Sequence, residues 1–257
     1  MGQTIVLTGM VLSAMPVGDY DKRIQLLTRE RGKIAAFVRG ARRPNSAFLA
    51  SSNPFSFGEF EVYEGRSAYN VVKASITHYF RELAQDLDAV SYGFYFLEMA
   101  AYYTQENMDG TDFLNLLYLT LKALLKPSVD NRLVRRIYEL RVLVLSGEYP
   151  EVFSCTKCGR KEALCYFSVR RHGALCPACL KGEYAVPLDK STLYALQYIL
   201  TAPLQKLYTF TLSAPVFGRL DEIAAGYIRQ YQNHVFQSEQ MLDGFGTLQK
   251  TVKKGEK

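Results

Sequence analysis

"TGMVLSAMPVGDYDKRIQLLTRERGKIAAFVRGARRPNSAF", residues 8–48, combines strand-length apolar runs, glycine turns and a block of cations. One run begins just before it, as "TIVLTGMVL" from Thr4, and a second, "KIAAFVRGA" from Lys33, ends at a glycine turn. Both are rich in β-branched and apolar residues and too short for helices, so they are read as strands. Between Lys22 and Arg43 stand Lys22, Arg23, Arg29, Arg31, Lys33, Arg39, Arg42 and Arg43 against a single acid, Glu30. The whole chain carries a net charge of only +6, so this block exceeds it. The cations alternate with Gly32, Phe37, Gly40 and Pro44, a strand-and-turn rhythm unlike the solvated face of a helix. A basic stripe beside a sheet suits a polyphosphate ligand.

The β signal continues outward from this stretch. "FSFGEFEVYEGRSAYNVVKASI", residues 55–76, gives two more strands about the turn Glu64-Gly65-Arg66. Short strands at this spacing build a small barrel or sandwich over residues 1–80. Beyond Leu83 the period becomes helical. Residues 86–107 place Val90, Phe94, Leu97 and Ala101 on one predicted face, with Asn107 and Gly110 as stop signals. Residues 111–126 and 131–147 follow, with Thr111 and Asn131 as expected N-caps, and residues 189–202 and 217–236 read as two further helices. The tail "KTVKKGEK" is expected to fray. The expected organisation is a β domain over 1–80 and a helical domain over 81–257, with a module at 150–185 inserted in the latter.

All five cysteines lie between Cys155 and Cys179 of the 257 residues. Cys155, Cys158, Cys176 and Cys179 have the C-x2-C-x17-C-x2-C spacing of a four-thiolate zinc site, in which each C-x-x-C turn aims two sulfurs at one point. Cys165 is read as a small core residue and His172 as a bystander. Four thiolates close a tetrahedron, so one structural Zn2+ is expected, with no open position for catalytic water. His172 is followed by Gly173-Ala174, and Pro177 sits inside its knuckle, unlike the zinc deaminase pattern. Phosphate-loop, H-E-x-x-H and G-x-S-x-G motifs are also missing. The paired acids Asp86 and Asp88 fall at a helix start, where the helix dipole accounts for them. A binding protein is expected, not an enzyme. No apolar run reaches the roughly 20 residues of a membrane span, and the N-terminus lacks a secretory pattern. The expected location is the cytoplasm, with no membrane partner.

The order of motifs resembles the RecO family of bacterial recombination mediators. The matching segments are Gly18-Asp19-Tyr20-Asp21-Lys22, Thr28-Arg29-Glu30-Arg31-Gly32-Lys33 and Gly40-Ala41-Arg42-Arg43-Pro44-Asn45-Ser46. "YELRVLVLSGEYPEVFSCTKCG", residues 138–159, is similar to the family's helix leading into its zinc module. The resemblance implies an α+β multidomain chain: an N-terminal OB-fold barrel, then an α-helical domain carrying the zinc module. It also implies binding and annealing of DNA strands, and cooperation with RecR in loading RecA onto strands coated by single-strand-binding protein, in repair and recombination. Because some members lack the cysteines, the metal is not essential to the shared activity.

On that barrel, Arg29, Arg31, Lys33, Arg39, Arg42 and Arg43 are the expected phosphate contacts for single- and double-stranded DNA. Phe37 and Phe48 are read as core aromatics ahead of stacking platforms. The cysteine segment adds Lys157, Arg160, Lys161, Arg170, Arg171 and Lys181 as a second basic surface. The implied partner, the acidic C-terminal tail of single-strand-binding protein, needs an apolar groove edged by cations. Leu133, Ile137, Leu140 and Val144 form such a face, beside Arg132 and Arg136. The competing reading is a zinc-ribbon protein-interaction or RNA-binding factor without annealing activity.

Overall fold

The computed structural model describes residues 3–242 apart from Ser67, Asn233 and Met241. The tail expected to fray lies outside the described residues. The chain divides into two compact units, residues 3–125 with 236–242, and residues 126–235.

In the first unit β1 (Thr4–Val17), β2 (Asp21–Thr28), β3 (Gly32–Val38), a one-turn helix α1 (Phe48–Ser51), β4 (Phe57–Glu64) and β5 (Tyr69–His78) build a barrel. The strands close in the order β1-β2-β3-β5-β4, with β3–β5 as the parallel pair. This is the five-stranded Greek-key barrel of the OB-fold, as expected for residues 1–80. The strand Asp21–Thr28 is additional to the runs read from the sequence. Closure rests on β1, whose first half pairs with β4 and whose second half pairs with β2. Its register shifts between Val11 and Ser13, a bulge that bends the strand from one partner to the other. Gly9 pairs with both Thr28 of β2 and Gly58 of β4. A Cβ on Gly58 would stand 2.2 Å from the Ser75 carbonyl oxygen, and one on Gly9 2.6 Å from that of Leu27. The closest approach of backbones in the barrel thus requires glycine at both positions.

Alternation sends Leu7, Val11, Ile24, Leu26, Ile34, Ala36, Val38, Phe60 and Val62 into a buried core. A 3-10 turn over Arg81–Gln85 then leads to α2 (Leu87–Tyr103) and α3 (Thr111–Leu124). The strands end where the sequence period changes, yet α2 and α3 are grouped with the barrel. The chain returns at Phe236, which is fully buried against the rings of Tyr95 and Tyr102. The backbone N–H groups of Gln237 and Ser238 donate to Glu98. The predicted buried face of α2 is corrected: Phe94 is 44% exposed, while Tyr92, Tyr95, Phe96 and Met99 are buried. This helix is apolar all round, so its periodicity does not choose a face. Two caps are also one residue from expectation. Gly110 caps α3 while Asp109 accepts from the Thr111 N–H, and Asp130 caps α4 (Asn131–Leu145) by accepting from the Arg132 N–H.

In the second unit α4, α5 (Lys190–Thr201) and α6 (Ala214–Tyr231) pack together. Their core includes Leu133, Ile137, Leu140, Leu196, Ile199, Leu220 and Ile223. Between α4 and α5 is inserted a small sheet of β6 (Tyr166–Ser168), β7 (Gly173–Leu175) and β8 (Val186–Pro187), in the order β7-β6-β8. Phe167 of this sheet meets Tyr227 of α6 edge-on.

Substituting Gly58→Ala should destabilise the barrel by about 1–3 kcal/mol, the usual cost of overpacking. Urea denaturation followed by circular dichroism checks this, against an expected gain of about 0.4–1 kcal/mol for Gly218→Ala inside α6, where no atom lies within 4 Å of the added methyl.

Candidate metal centre and nucleic-acid interface

The two cysteine turns flank the inserted sheet. In the first, the Gly159 N–H donates to the Cys155 carbonyl (2.8 Å) and the Cys155 N–H to that of Arg160 (2.7 Å). Gly159 takes φ +74° there, a left-handed conformation that glycine adopts without strain. The second follows β7 directly as a 3-10 turn, Pro177–Cys179, closed by the Cys179 N–H on the Cys176 carbonyl (3.0 Å). The sulfurs of Cys155, Cys158, Cys176 and Cys179 lie within 4.8 Å of one another. Cys158 Sγ and Cys176 Sγ are 3.8 Å apart. Thiolates about 2.3 Å from a central ion stand about 3.8 Å apart in a tetrahedron, so the set fits a metal of that geometry.

Burial raises the Cys155 thiol, but backbone N–H groups of Cys176, Lys157 and Cys158 outweigh it and bring the group down to about 6. Hydrogen bonding with Cys158, together with partial burial and the other two sulfurs, pushes Cys179 up to about 12. A divalent cation at the centre of such a cluster favours all the thiolates and reverses that crowding. Cys165 and His172 are not part of the group. Cys165 is half-buried, and the His172 ring lies against Tyr231 with the hydroxyl 2.5 Å from Nδ1.

The basic block does not form one continuous stripe. Arg29 and Arg31 occupy the turn joining β2 to β3, whereas Arg39, Arg42 and Arg43 follow the far end of β3. Strand β2 has eight residues, which separates the two groups by roughly 25 Å at about 3.4 Å per residue. The far group is built against the β1–β2 turn. The Arg42 N–H donates to the Tyr20 carbonyl (2.8 Å), its guanidinium to the Gly18 carbonyl (3.2 Å), and the Gly40 N–H to Asp21 (2.7 Å). Arg43 lies over the Tyr20 ring, 5.3 Å from its centroid. All five arginines are exposed.

Lys33 behaves differently. Its ammonium donates to the Ala101 carbonyl near the end of α2, and burial holds it below the ordinary lysine range. Lys22 is likewise engaged, by Ser52 and Asn53. Beside the far arginine group, the barrel's outer face carries a row the sequence reading did not single out. Met15, Arg23, Phe37 and Asn70 are cross-strand neighbours on β1, β2, β3 and β5. Phe37 therefore points outward, half-buried, and is not a core aromatic, whereas Phe48 packs against the barrel core. The in-out alternation of Arg23-Ile24-Gln25-Leu26 is the signal that marks Arg23 as a surface cation.

In the inserted module, Lys157 and Arg171 both reach Glu183, at 3.4 and 2.7 Å. Arg160, Lys161, Arg170 and Lys181 are exposed. On α4, Leu133, Ile137 and Leu140 belong to the helical core and do not line an open groove. Arg136 is 11% exposed and held by Asp221 (2.7 Å) and by Glu139 (2.7 Å), which is itself completely buried and also bound by Arg135. Burial disfavours the Arg136 cation, and these two acids more than offset it. Arg132 is 60% exposed, 3.4 Å from Asp221 and over the Phe217 ring. Among the described residues no helix is long and apolar enough to cross a membrane.

Comparison with known proteins agrees with this architecture. Residues 1–80 match the family model described as recombination protein O N terminal, and residues 84–239 match recombination protein O C terminal. The "DNA repair protein RecO" of Alkaliphilus metalliredigens is 28% identical over 229 residues, covering 88% of this chain and 93% of that protein. That of Bacillus subtilis is 28% identical over 236 residues, covering 91% and 92%. That of Symbiobacterium thermophilum is 30% identical over 240 residues, covering 91% and 95%. With an OB barrel followed by helices that carry a four-cysteine centre, and with both family models matched in order, the chain belongs to the recombination protein O family.

Proposed function

We propose that this protein is a DNA-binding recombination mediator that binds and anneals DNA strands and, with RecR, helps to load RecA onto strands coated by single-strand-binding protein. Family membership carries the broader role in DNA repair and recombination. The observation that carries the DNA reading is the pair of exposed arginine groups at the two ends of the β2–β3 hairpin, with Arg23 and Phe37 outward beside the Arg39–Arg43 end. A single strand laid along the hairpin would meet cations for its phosphates at both ends and an aromatic edge beside the Arg39–Arg43 group. Annealing needs no catalytic group: neutralising two backbones lowers their repulsion, and base pairing supplies the free energy. We place the protein in the cytoplasm, associated with the nucleoid when active.

Replacing Arg42 and Arg43 together by Ala should weaken binding to unrelated sequences equally, since phosphate contacts carry no sequence information. The slope of log affinity against log salt should flatten by about 1.4, roughly 0.7 per lost phosphate contact on single strands. Fluorescence anisotropy across a salt series measures both, and unchanged affinity and slope would refute the DNA assignment of this end of the hairpin. The competing zinc-ribbon reading predicts binding without faster duplex formation, which strand annealing on coated DNA distinguishes.

The four cysteines are proposed to hold one structural Zn2+. Such a site closes a module with only eight residues in its three strands, and metal binding free energy there is folding free energy. Purified protein should contain one zinc per chain. Cys176→Ser, or removal of metal by a chelator, should lower the thermal midpoint while the barrel's β signal persists. Metal analysis and calorimetry check this, and a fully folded, metal-free protein would rule it out.

For the acidic tail of single-strand-binding protein, α4 offers no apolar groove, and the proposed contact narrows to Arg132, which stays 60% exposed beside Asp221, while Arg136 is buried between Glu139 and Asp221. Arg132→Glu should weaken tail-peptide binding in calorimetry and leave annealing of bare strands unchanged. Arg136→Glu would instead disturb a buried ion network and is expected to destabilise the unit.

A further inference from the structure

Helix α5 carries an aromatic stripe on the side away from its core. Its buried face is Thr192, Ala195, Leu196, Ile199 and Leu200. Lys190, Tyr194 and Tyr198 fall on the opposite side, one turn apart, and Tyr194 is 68% exposed. The two tyrosine rings lie 6.3 Å apart at 31°. Tyr198 is held in place by Phe210, which meets it edge-on at 5.2 Å, and by its hydroxyl, which donates to the Lys206 carbonyl (3.2 Å). Tyr194 forms the open wall of a cavity of about 690 Å³ between α5 and residues 209–216. Leu212 and Val216 complete the apolar lining, and the rim carries the hydroxyls of Ser191, Thr209, Thr211 and Ser213. Among the described residues Lys190 is the one charged side chain in the lining.

We propose that this cavity is a second single-strand site, taking one or two unpaired bases of DNA by stacking on Tyr194 and Tyr198. The chemistry matches what an unpaired base offers. Its faces stack on aromatic rings, its edge hydrogen-bonds to hydroxyls of either polarity, and its phosphate meets Lys190 at the end of the stripe. The volume lies within the range of small-ligand sites. A base uses both the ring faces and the hydroxyls, whereas an acidic peptide would use chiefly the Lys190 charge. Bases in a duplex are stacked and paired, so they cannot enter. The site would therefore hold a strand before pairing and release it afterwards, while the barrel's arginines contact phosphates of either form. This inference rests on the reading of the protein as DNA-binding.

The test uses the full chain with Tyr194→Ala and Tyr194→Phe, titrated with a short oligothymidylate and with a duplex of equal length. Tyr194 is exposed, so neither change should disturb folding. Tyr194→Ala should lose about tenfold in single-strand affinity, within the range for one lost base–aromatic stack. Its duplex affinity should stay unchanged, and its salt slope should fall by at most about 0.7, the one Lys190–phosphate contact. Tyr194→Phe should bind like wild type, and an oligonucleotide bearing 5-iodo-deoxyuridine should photo-crosslink within residues 190–216. Wild-type single-strand affinity in Tyr194→Ala, with loss in the Arg42→Ala/Arg43→Ala variant, would overturn the cavity site and leave the DNA reading intact. Absence of DNA binding by the wild-type chain would instead remove the reading on which it rests. If Tyr194→Ala impaired only binding of an acidic peptide, the occupant would be protein and the inference would fail.

Discussion

Strand β1 hydrogen-bonds along both of its edges, to β4 through its first half and to β2 through its second. A strand can serve two neighbours that diverge only if it bends, and the register shift after Val11 supplies that bend. Near the bend β1 lies so close to β2 at Gly9, and β4 so close to β5 at Gly58, that side chains there would collide with the backbone carbonyls of Leu27 and Ser75. Closure leaves no open sheet edge and gives Ile24, Leu26, Ile34, Ala36 and Val38 a common interior. It also determines the opposite face. Once those residues point inward, Arg23 and Phe37 must point out, and the β2–β3 hairpin becomes a platform with arginines at each end.

The second unit solves a different problem. Its helices share an apolar core, but the inserted module has three very short strands, and its buried side chains, among them Cys155, Leu164, Phe167, Leu175 and Cys176, are few. A module that small gains too little from apolar burial to hold its own loops, which is the circumstance in which proteins use a metal. The four sulfurs converge because each pair sits on a tight turn at one end of the sheet. On the helical side the fully buried Glu139 is bound by Arg135 and Arg136. A buried carboxylate without such partners would cost several kcal/mol, so these arginines are structural before they are anything else.

Charge at the surface is sorted by this framework. Lys33 and Lys22 look identical to their neighbours in the basic block, yet one closes the end of α2 and the other ties down residues 52 and 53. Lys157 and Arg171 are drawn to Glu183, while Arg160, Lys161, Arg170 and Lys181 stay open to solvent. A count of cations therefore overstates the surface available to phosphate, and the exposed arginines are a better guide.

Local chemistry was readable from the chain alone. The period of two in the first eighty residues, the period of three to four afterwards and the paired cysteine turns each depend on neighbours a few residues apart, so a small barrel or sandwich without its second strand, the helices and the sulfur cluster were legible without coordinates. The motif order was enough to indicate the family. What depended on partners distant in sequence was not legible. Helix α2 is apolar all round, and its packing against α3, the barrel and the returning Phe236 leaves Phe94 exposed and Tyr95 buried. Arg136 looks like a surface cation until Asp221, 85 positions later, is beside it. The basic block reads as one stripe because residues 22–43 are contiguous, but a hairpin turns contiguous sequence into two ends of a platform. Tyr194 reads as an ordinary helical aromatic, and it acquires a cavity only when residues 209–216 fold across from it. Periodicity records which residues share an element, whereas burial, pairing and clefts are set by elements that meet across the fold.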